Sequence, residues 1–192
     1  MGIYEIILKR RTIRRFQAKR VPYQVLEKCV NAARIAPSAN NLQPCEYLVI
    51  DEKSILDKVF VTLKWAGYIP DGKPSKAEAP RAYIIVLINR DIVAKGFEHD
   101  VGFAVENIIL TALEEGVGCC CFGAIDRKIL RENLSIPSKY TIDLVVALGY
   151  PKESPVEEPL TDSVKYWKDE NKVLHVPKRR LEDIFHRNAM SK

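Results

Sequence analysis

The chain has 192 residues, of which 47% are hydrophobic and 29% charged, a globular composition that excludes fibre and disorder. Net charge is +5, modest for a protein held to nucleic acid by charge, and the aromatics are not interleaved with the basic residues. No apolar run approaches the ~18 residues of a membrane helix, and the opening MGIYEIILKRRTIRRF carries charge where a signal peptide needs apolar residues, so no membrane and a cytoplasmic location are expected.

In chain order, Ile3, Ile6 and Ile7 have helical spacing and lead into a basic run, which therefore sits at the end of a first helix. Pro22 opens a second helix with Val25, Leu26, Cys29, Val30 and Ala33 on one face, closed before Pro37. The stretch APSANNLQP (36–44) packs prolines, a serine and amides between this helix and a short buried strand, YLVI (47–50). Residues 54–66 have a helical apolar pattern, and GYIPDGKPSK (67–76) is loop by its glycine and proline content. AYIIVLIN (82–89) is a β-branched strand. A long helix follows over 98–115, ended by Gly116 and Gly118. GCCCFGA is small, apolar and strand-like, Asp126 is a helix N-cap before Ile129 and Leu130, and IDLVVALGY (142–150) is a further strand. Residues 151–192 are rich in charge and proline and show no period before LEDIFHRN, which reads as an arm packing elsewhere. Strands and helices mix without regular βαβ alternation, which predicts an α+β fold and one domain over 1–192.

The candidate chemistry is sparse. Arg10, Arg11, Thr12, Arg14 and Arg15 supply forked donors and a hydroxyl suited to phosphate oxygens, against the bland reading of a solvated basic face. Neither GxxxxGK[ST] nor GxGxxG is present, so any nucleotide phosphate must be held by side chains. His99, His175 and His186 lack metal-ligand spacing, and no metal site is assigned. Ser38 has neither a GxSxG elbow nor a visible base. Five cysteines (Cys29, Cys45, Cys119, Cys120, Cys121), three of them adjacent, fit no disulfide framework or CxxC pattern and point to free, mostly structural thiols. Anion-binding groups without an acid, base, nucleophile or metal set are what a protein offers when a bound cofactor carries the chemistry.

Four stretches in this order, RRTIRRF, APSANNLQP, GVGCCCFGA and PKRRL, together resemble the nitroreductase family of FMN-dependent enzymes, over nearly the whole chain. The resemblance implies an α+β homodimer with a mixed central sheet flanked by helices, intertwined so that both chains touch each FMN at the subunit interface, with the arm of about 151–192 packing on the partner subunit. It implies phosphate and ribityl contacts from Arg10, Arg11 and Thr12, and a cation near the flavin pyrimidine from Arg14. Lys178 and Arg180 complete the phosphate site, Gly123 and Ala124 pass the flavin N5 edge, and Pro37, Ser38, Ala39 and Asn41 pack on the flavin bound mainly by the other subunit. Gln43 and Pro44 shape that loop, and Asn40 is unassigned.

The implied reaction is ping-pong transfer of electrons from NADH or NADPH through flavin N5 to a nitroaromatic, quinone or similar small acceptor, with no protein catalytic residue. Cys45 stands where many members have an aromatic, Ala39 where a second serine is common, and residues 90–98 are too few for the covering helix of larger members, so an open cleft is expected, with 64–74 as its nearest cover. Trp65 and Tyr68 of that cover are equally placed for ring stacking or for a core or interface role, and Lys73 and Lys76, within reach of a flavin or a nicotinamide phosphate, are left unassigned. The alternative class is a non-catalytic flavin carrier or a basic nucleic-acid-binding protein on the same fold.

Overall fold

The strand β2 (Ala82–Asn89) is the spine of the molecule: every residue but Asn89 is buried. In this computed structural model, which describes residues 2–190, β2 has helices on both faces, so period-2 alternation distributes its side chains between two cores. Ala82, Ile84, Val86 and Ile88 pack with Leu26, Cys29 and Ala33 of α2 (Tyr23–Arg34) and with Val101, Ala104, Val105, Ile108 and Ala112 of α4 (Glu98–Glu114). Tyr83, Ile85 and Leu87 pack with Val59 of α3 (Lys53–Phe60) and Leu130 of α5 (Arg127–Leu134). A strand buried on both sides reads as a continuous apolar run, which is why 82–89 was legible without alternation.

The central sheet has the order β1-β2-β4-β3, with β1 Cys45–Ile50, β3 Gly118–Phe122 and β4 Tyr140–Gly149. Its four strands pair antiparallel throughout. The parallel component of the expected mixed sheet is confined to a bridge between Thr12 and Cys119 at the β3 edge. A second, three-stranded sheet follows, with β7 (Leu174–Lys178) parallel to β5 (Val156–Pro159) and antiparallel to β6 (Trp167–Lys168).

Two sequence expectations shift. β1 begins at Cys45 rather than Tyr47, and as an edge strand it is half-buried except at Ile50. α3 stops at Phe60 rather than running to 66, because Leu63 bridges Ile125 and the Lys64 N–H donates to Ala124 O at 3.1 Å, a tertiary pairing that overrides the local helical pattern. Residues 153–178 make contacts within their own chain: Glu157 meets Arg11, Lys168 meets Asp71, and Glu153 accepts from the Arg14 and Arg15 amides. Beyond them Leu181, Ile184, Phe185 and Met190 are exposed, as are Ile3, Tyr4, Ile7 and Leu8 of α1 (Ile3–Lys9). Among the described residues no helix is long and apolar enough to cross a membrane.

Residues 11–16 run along the β3 edge, where the Ile13 N–H donates to Cys119 O at 2.9 Å and Phe16 bridges Pro151. That run carries the basic motif, so the sheet edge sets its position.

Candidate functional site

Arg10 caps the carboxyl end of α1 in an extended conformation, which turns the chain out of the helix and onto the sheet edge. Along 11–16 the chain buries Ile13 and Phe16, three residues apart, and leaves Arg11, Thr12, Arg14 and Arg15 half-buried. β7 returns to this place from the far end of the chain. Arg10, Arg11, Thr12, Arg14, Tyr166, Val176 and Lys178 line one cleft of about 190 Å³ with no carboxylate in its wall.

The cations of the motif are not equivalent. Arg11 donates to Glu157 Oε2 at 2.5 Å. Arg15 pairs with Glu78 at 2.8 Å and with Asp71 at 3.2 Å. Lys168 and Lys152 close the network on the same acids, at 2.8 and 3.0 Å. A hydrogen bond from Lys168 holds the Asp71 carboxyl below its ordinary range, and hydrogen bonds from Lys152 and Arg15 do the same for Glu78. Among the described residues no carboxylate pairs with Arg10, Arg14, Lys178 or Arg180. Arg180 lies two residues past β7, exposed and outside the cleft wall.

The loop 36–44 forms a different cleft, of about 400 Å³, lined among others by Arg34, Pro37, Ser38, Cys45, Tyr47 and Asp100. Asp100, only 6% exposed, accepts the Ala39 N–H at 3.0 Å, and Ser38 Oγ accepts the Gln43 N–H at 3.0 Å. Asn40, Asn41 and Gln43 all have positive φ, at 51°, 55° and 51°. Asparagine, whose short side chain can hydrogen-bond the local backbone, tolerates that left-handed region better than most non-glycine residues, which accounts for the two asparagines but not for Gln43. Gly123 and Ala124 are exposed just past β3, and a side chain at Gly123 would meet Leu144 at 3.7 Å, an ordinary contact. Within one chain the cation cleft and the 36–44 cleft share no residue.

The aromatic candidates resolve differently. Trp65 packs against Phe60 at 5.4 Å and edge-on to Phe122 at 4.6 Å, a core position rather than a free stacking face. Tyr68 lies on Tyr166 at 5.0 Å between ring centroids, and Lys73 sits over Phe60. Burial pushes the Cys120 thiol up to about 12 and holds Cys119 well above its ordinary value, and crowding by surrounding protein raises Cys121 to about 11 even though part of that residue reaches solvent, so the cysteine run holds little thiolate near neutrality.

Sequence reasoning missed Tyr166, Asp100, Glu153 and Glu157. Asp100 alone left a signal, as an acid on the buried face of α4 one turn before Ala104.

The amino-terminal basic strip and the carboxyl-terminal strand β7 of this α+β chain thus line one cleft. Residues 7–150 match the nitroreductase family. A protein of Archaeoglobus fulgidus, provisionally named an NADH dehydrogenase/NAD(P)H nitroreductase, is 31% identical over 156 residues, covering 78% of this chain and 85% of its own. The crystal structure of a nitroreductase family protein from Clostridium novyi has TM-score 0.69 at 25% identity, over 79% of this chain and 88% of the other. A structure from Desulfovibrio desulfuricans, provisionally described as a nitroreductase in complex with FMN, shares the fold at TM-score 0.73 and 21% identity, over 100% of this chain and 99% of the other. The chain belongs to the nitroreductase family and is an oxidoreductase of that family.

Proposed function

We propose that this protein is an FMN-dependent oxidoreductase that passes electrons from NADH or NADPH to a small acceptor of nitroaromatic or quinone type, acting as a homodimer with the cofactor at the interface. The observation that carries this reading is the cation cleft. Arg10, Arg14 and Lys178 converge there without carboxylate partners among the described residues, while their neighbours Arg11 and Arg15 are paired. Unpaired cations brought together repel one another, so the arrangement favours an anion that arrives from outside. A phosphate monoester suits the donor set, with Arg10, Thr12 and Lys178 donating to its oxygens and Arg11 held alongside by Glu157.

When bound, FMN supplies hydride acceptance from the nicotinamide and onward electron transfer to the acceptor. The chain's own contribution is positioning. Arg14 would place a fixed positive charge where reduction adds negative charge, which favours the reduced cofactor. Gly123 and Ala124, small and exposed, admit a planar ring close to the backbone. The loop carrying Pro37, Ser38, Ala39 and Asn41 is separate from the cation cleft in one chain, and the reading assigns it to the cofactor of a second copy. Support for two copies comes from the exposed Ile3, Tyr4, Ile7 and Leu8 of α1 and from Leu181, Ile184, Phe185 and Met190, apolar surface that a lone chain leaves in water.

The test is uptake of FMN. Purified protein should be yellow or bind FMN at one per chain, run as a dimer by light scattering, and bleach anaerobically with NADH or NADPH. Colourless protein that refuses FMN and retards DNA would replace this reading with a basic binding protein, and FMN bound without bleaching would make it a carrier.

A further inference from the structure

Three arginines of the basic strip are anchored in two chemically different ways. Arg11 and Arg15 rest on carboxylates, Glu157 for the first and Glu78 and Asp71 for the second. The Arg14 guanidinium instead lies over the ring of Tyr166, with Cζ 4.9 Å from the ring centroid. Glu153 accepts from Arg14 at the backbone amide, as it does from Arg15, and makes no hydrogen bond with the Arg14 guanidinium. Tyr166 precedes β6, is half-buried, lines the same cleft as Arg10, Arg14 and Lys178, and is packed in turn by Tyr68 of the 67–76 loop.

The two anchors differ in what they leave behind. A carboxylate holds a guanidinium and cancels its charge. An aromatic face holds it through the ring quadrupole and adds no net charge, so the cation keeps its field. We propose that Tyr166 is a positioning residue: it fixes Arg14 at the cleft while preserving the positive charge that acts on the flavin. The inference rests on the flavin reading given above. It also gives the 67–76 loop a role, since Tyr68 braces the ring that braces Arg14.

Three variants separate positioning with charge from positioning alone. Tyr166→Phe keeps the aromatic face, Tyr166→Leu removes it, and Tyr166→Glu replaces it with a carboxylate that anchors Arg14 by neutralising it. The readout is the midpoint potential of bound FMN, which reports the ratio of affinities for reduced and oxidised cofactor, measured beside the melting temperature and the FMN dissociation constant of the apoprotein. Tyr166→Phe should match the wild type. Tyr166→Leu should lower the preference for reduced FMN by roughly two- to fivefold, the scale of an exposed cation–π contact, and Tyr166→Glu should lower it further. In an Arg14→Gln background, Tyr166→Leu should add no further change, because the ring then has no cation to hold. A wild-type potential in Tyr166→Leu or Tyr166→Glu, with FMN still bound, overturns the inference and leaves the flavin reading standing. An equal shift from Tyr166→Leu with and without Arg14 overturns it as well. Failure of the wild-type protein to take up FMN overturns the flavin reading and this inference together.

Discussion

Gly149 packs against Phe16 so closely that a Cβ on the glycine would stand 2.7 Å from Phe16 Cδ1. Gly149 faces Gly118 across the β3–β4 pair, and a Cβ on Gly118 would stand 2.6 Å from Ile13 Cγ1. Two absent side chains thus make a groove at the sheet edge, into which Phe16 and Ile13 sink to 0% and 6% exposure. Arg14 and Arg15 lie between those anchors, so the groove fixes where their guanidinium groups emerge.

Gly149→Ala should therefore act at a distance on the cofactor. Forcing a methyl group into this contact is overpacking, which costs about 1–3 kcal/mol, and melting should fall by roughly 2–4 °C for each of those. FMN affinity should fall in the same variant at temperatures where it remains folded, because the basic strip is displaced. Calorimetry with FMN titration checks both. A lowered melting temperature with wild-type FMN affinity would uncouple the groove from the site.

The pairing of Arg11 with Glu157 separates two residues that sequence alone treats alike. Arg10 has no carboxylate partner among the described residues and should donate to the ligand, so Arg10→Ala should weaken FMN binding about tenfold or more, the scale of one hydrogen bond to a charged group. Arg11→Ala should weaken it less, and should loosen the arm instead, exposing residues near Glu157 to limited proteolysis. Fluorescence titration of the apoproteins ranks them. Equal losses would mean that Arg11 leaves Glu157 when the ligand arrives.

What was legible in the sequence follows from what each element depends on. β2 and α4 rest on their own apolar periodicity, and Asp126 on a local cap, where its Oδ1 accepts the Ile129 N–H at 3.1 Å; the structure reproduces all three. The end of α3 depends on a partner segment 62 residues further along, Leu63 with Ile125, and no local pattern carries that information. The small sheet of 156–178 has strands too short for a period, and its placement comes from Glu153, Glu157 and Lys168 contacts that are visible only in space. The same holds for the site. Arg10, Arg11, Thr12, Arg14 and Lys178 are motif residues that the fold brings to one cleft, whereas Tyr166 sits in VKYWKD with nothing local to mark it. Asn41, which the family resemblance assigns to the flavin, and Asn40, which the sequence leaves unassigned, share a backbone task in their positive φ.

The cysteine run should be chemically quiet. With the Cys121 thiol at about 11 and Cys120 at about 12, the thiolate fraction at pH 8 is on the order of one in a thousand or less. Native protein treated with iodoacetamide should label slowly at exposed Cys121, with a rate that climbs about tenfold per pH unit between 7 and 10 as thiolate accumulates. Buried Cys29, Cys119 and Cys120 should label only after unfolding. Mass spectrometry of the labelled peptides resolves each site; rapid modification of Cys121 at pH 7 would reveal an activated thiol instead.

Acid should release the loop that Asp71 and Glu78 tie to the rest of the chain. Asp71 is held by Lys168 and Arg15, and Glu78 by Lys152 and Arg15, so both carboxyls ionise more readily when folded than their ordinary values of 3.8 and 4.5. A depressed folded pKa contributes stability that is complete above the unfolded value and is lost as pH falls through the folded one. The loss should thus begin near pH 4.5 and deepen below it. Asp71 is largely exposed and Glu78 mostly covered, so solvent screening limits the pair network to about 1 kcal/mol. The double variant Asp71→Asn with Glu78→Gln should be less stable by that amount at pH 7 and should show a flatter decline between pH 5 and 3, with faster hydrogen exchange over 67–78. Wild-type protein in 1 M sodium chloride should move toward the variant at pH 7, because salt screens exposed ion pairs. Parallel acid profiles for variant and wild type would show that packing of Tyr68 on Tyr166, rather than these charges, holds the loop.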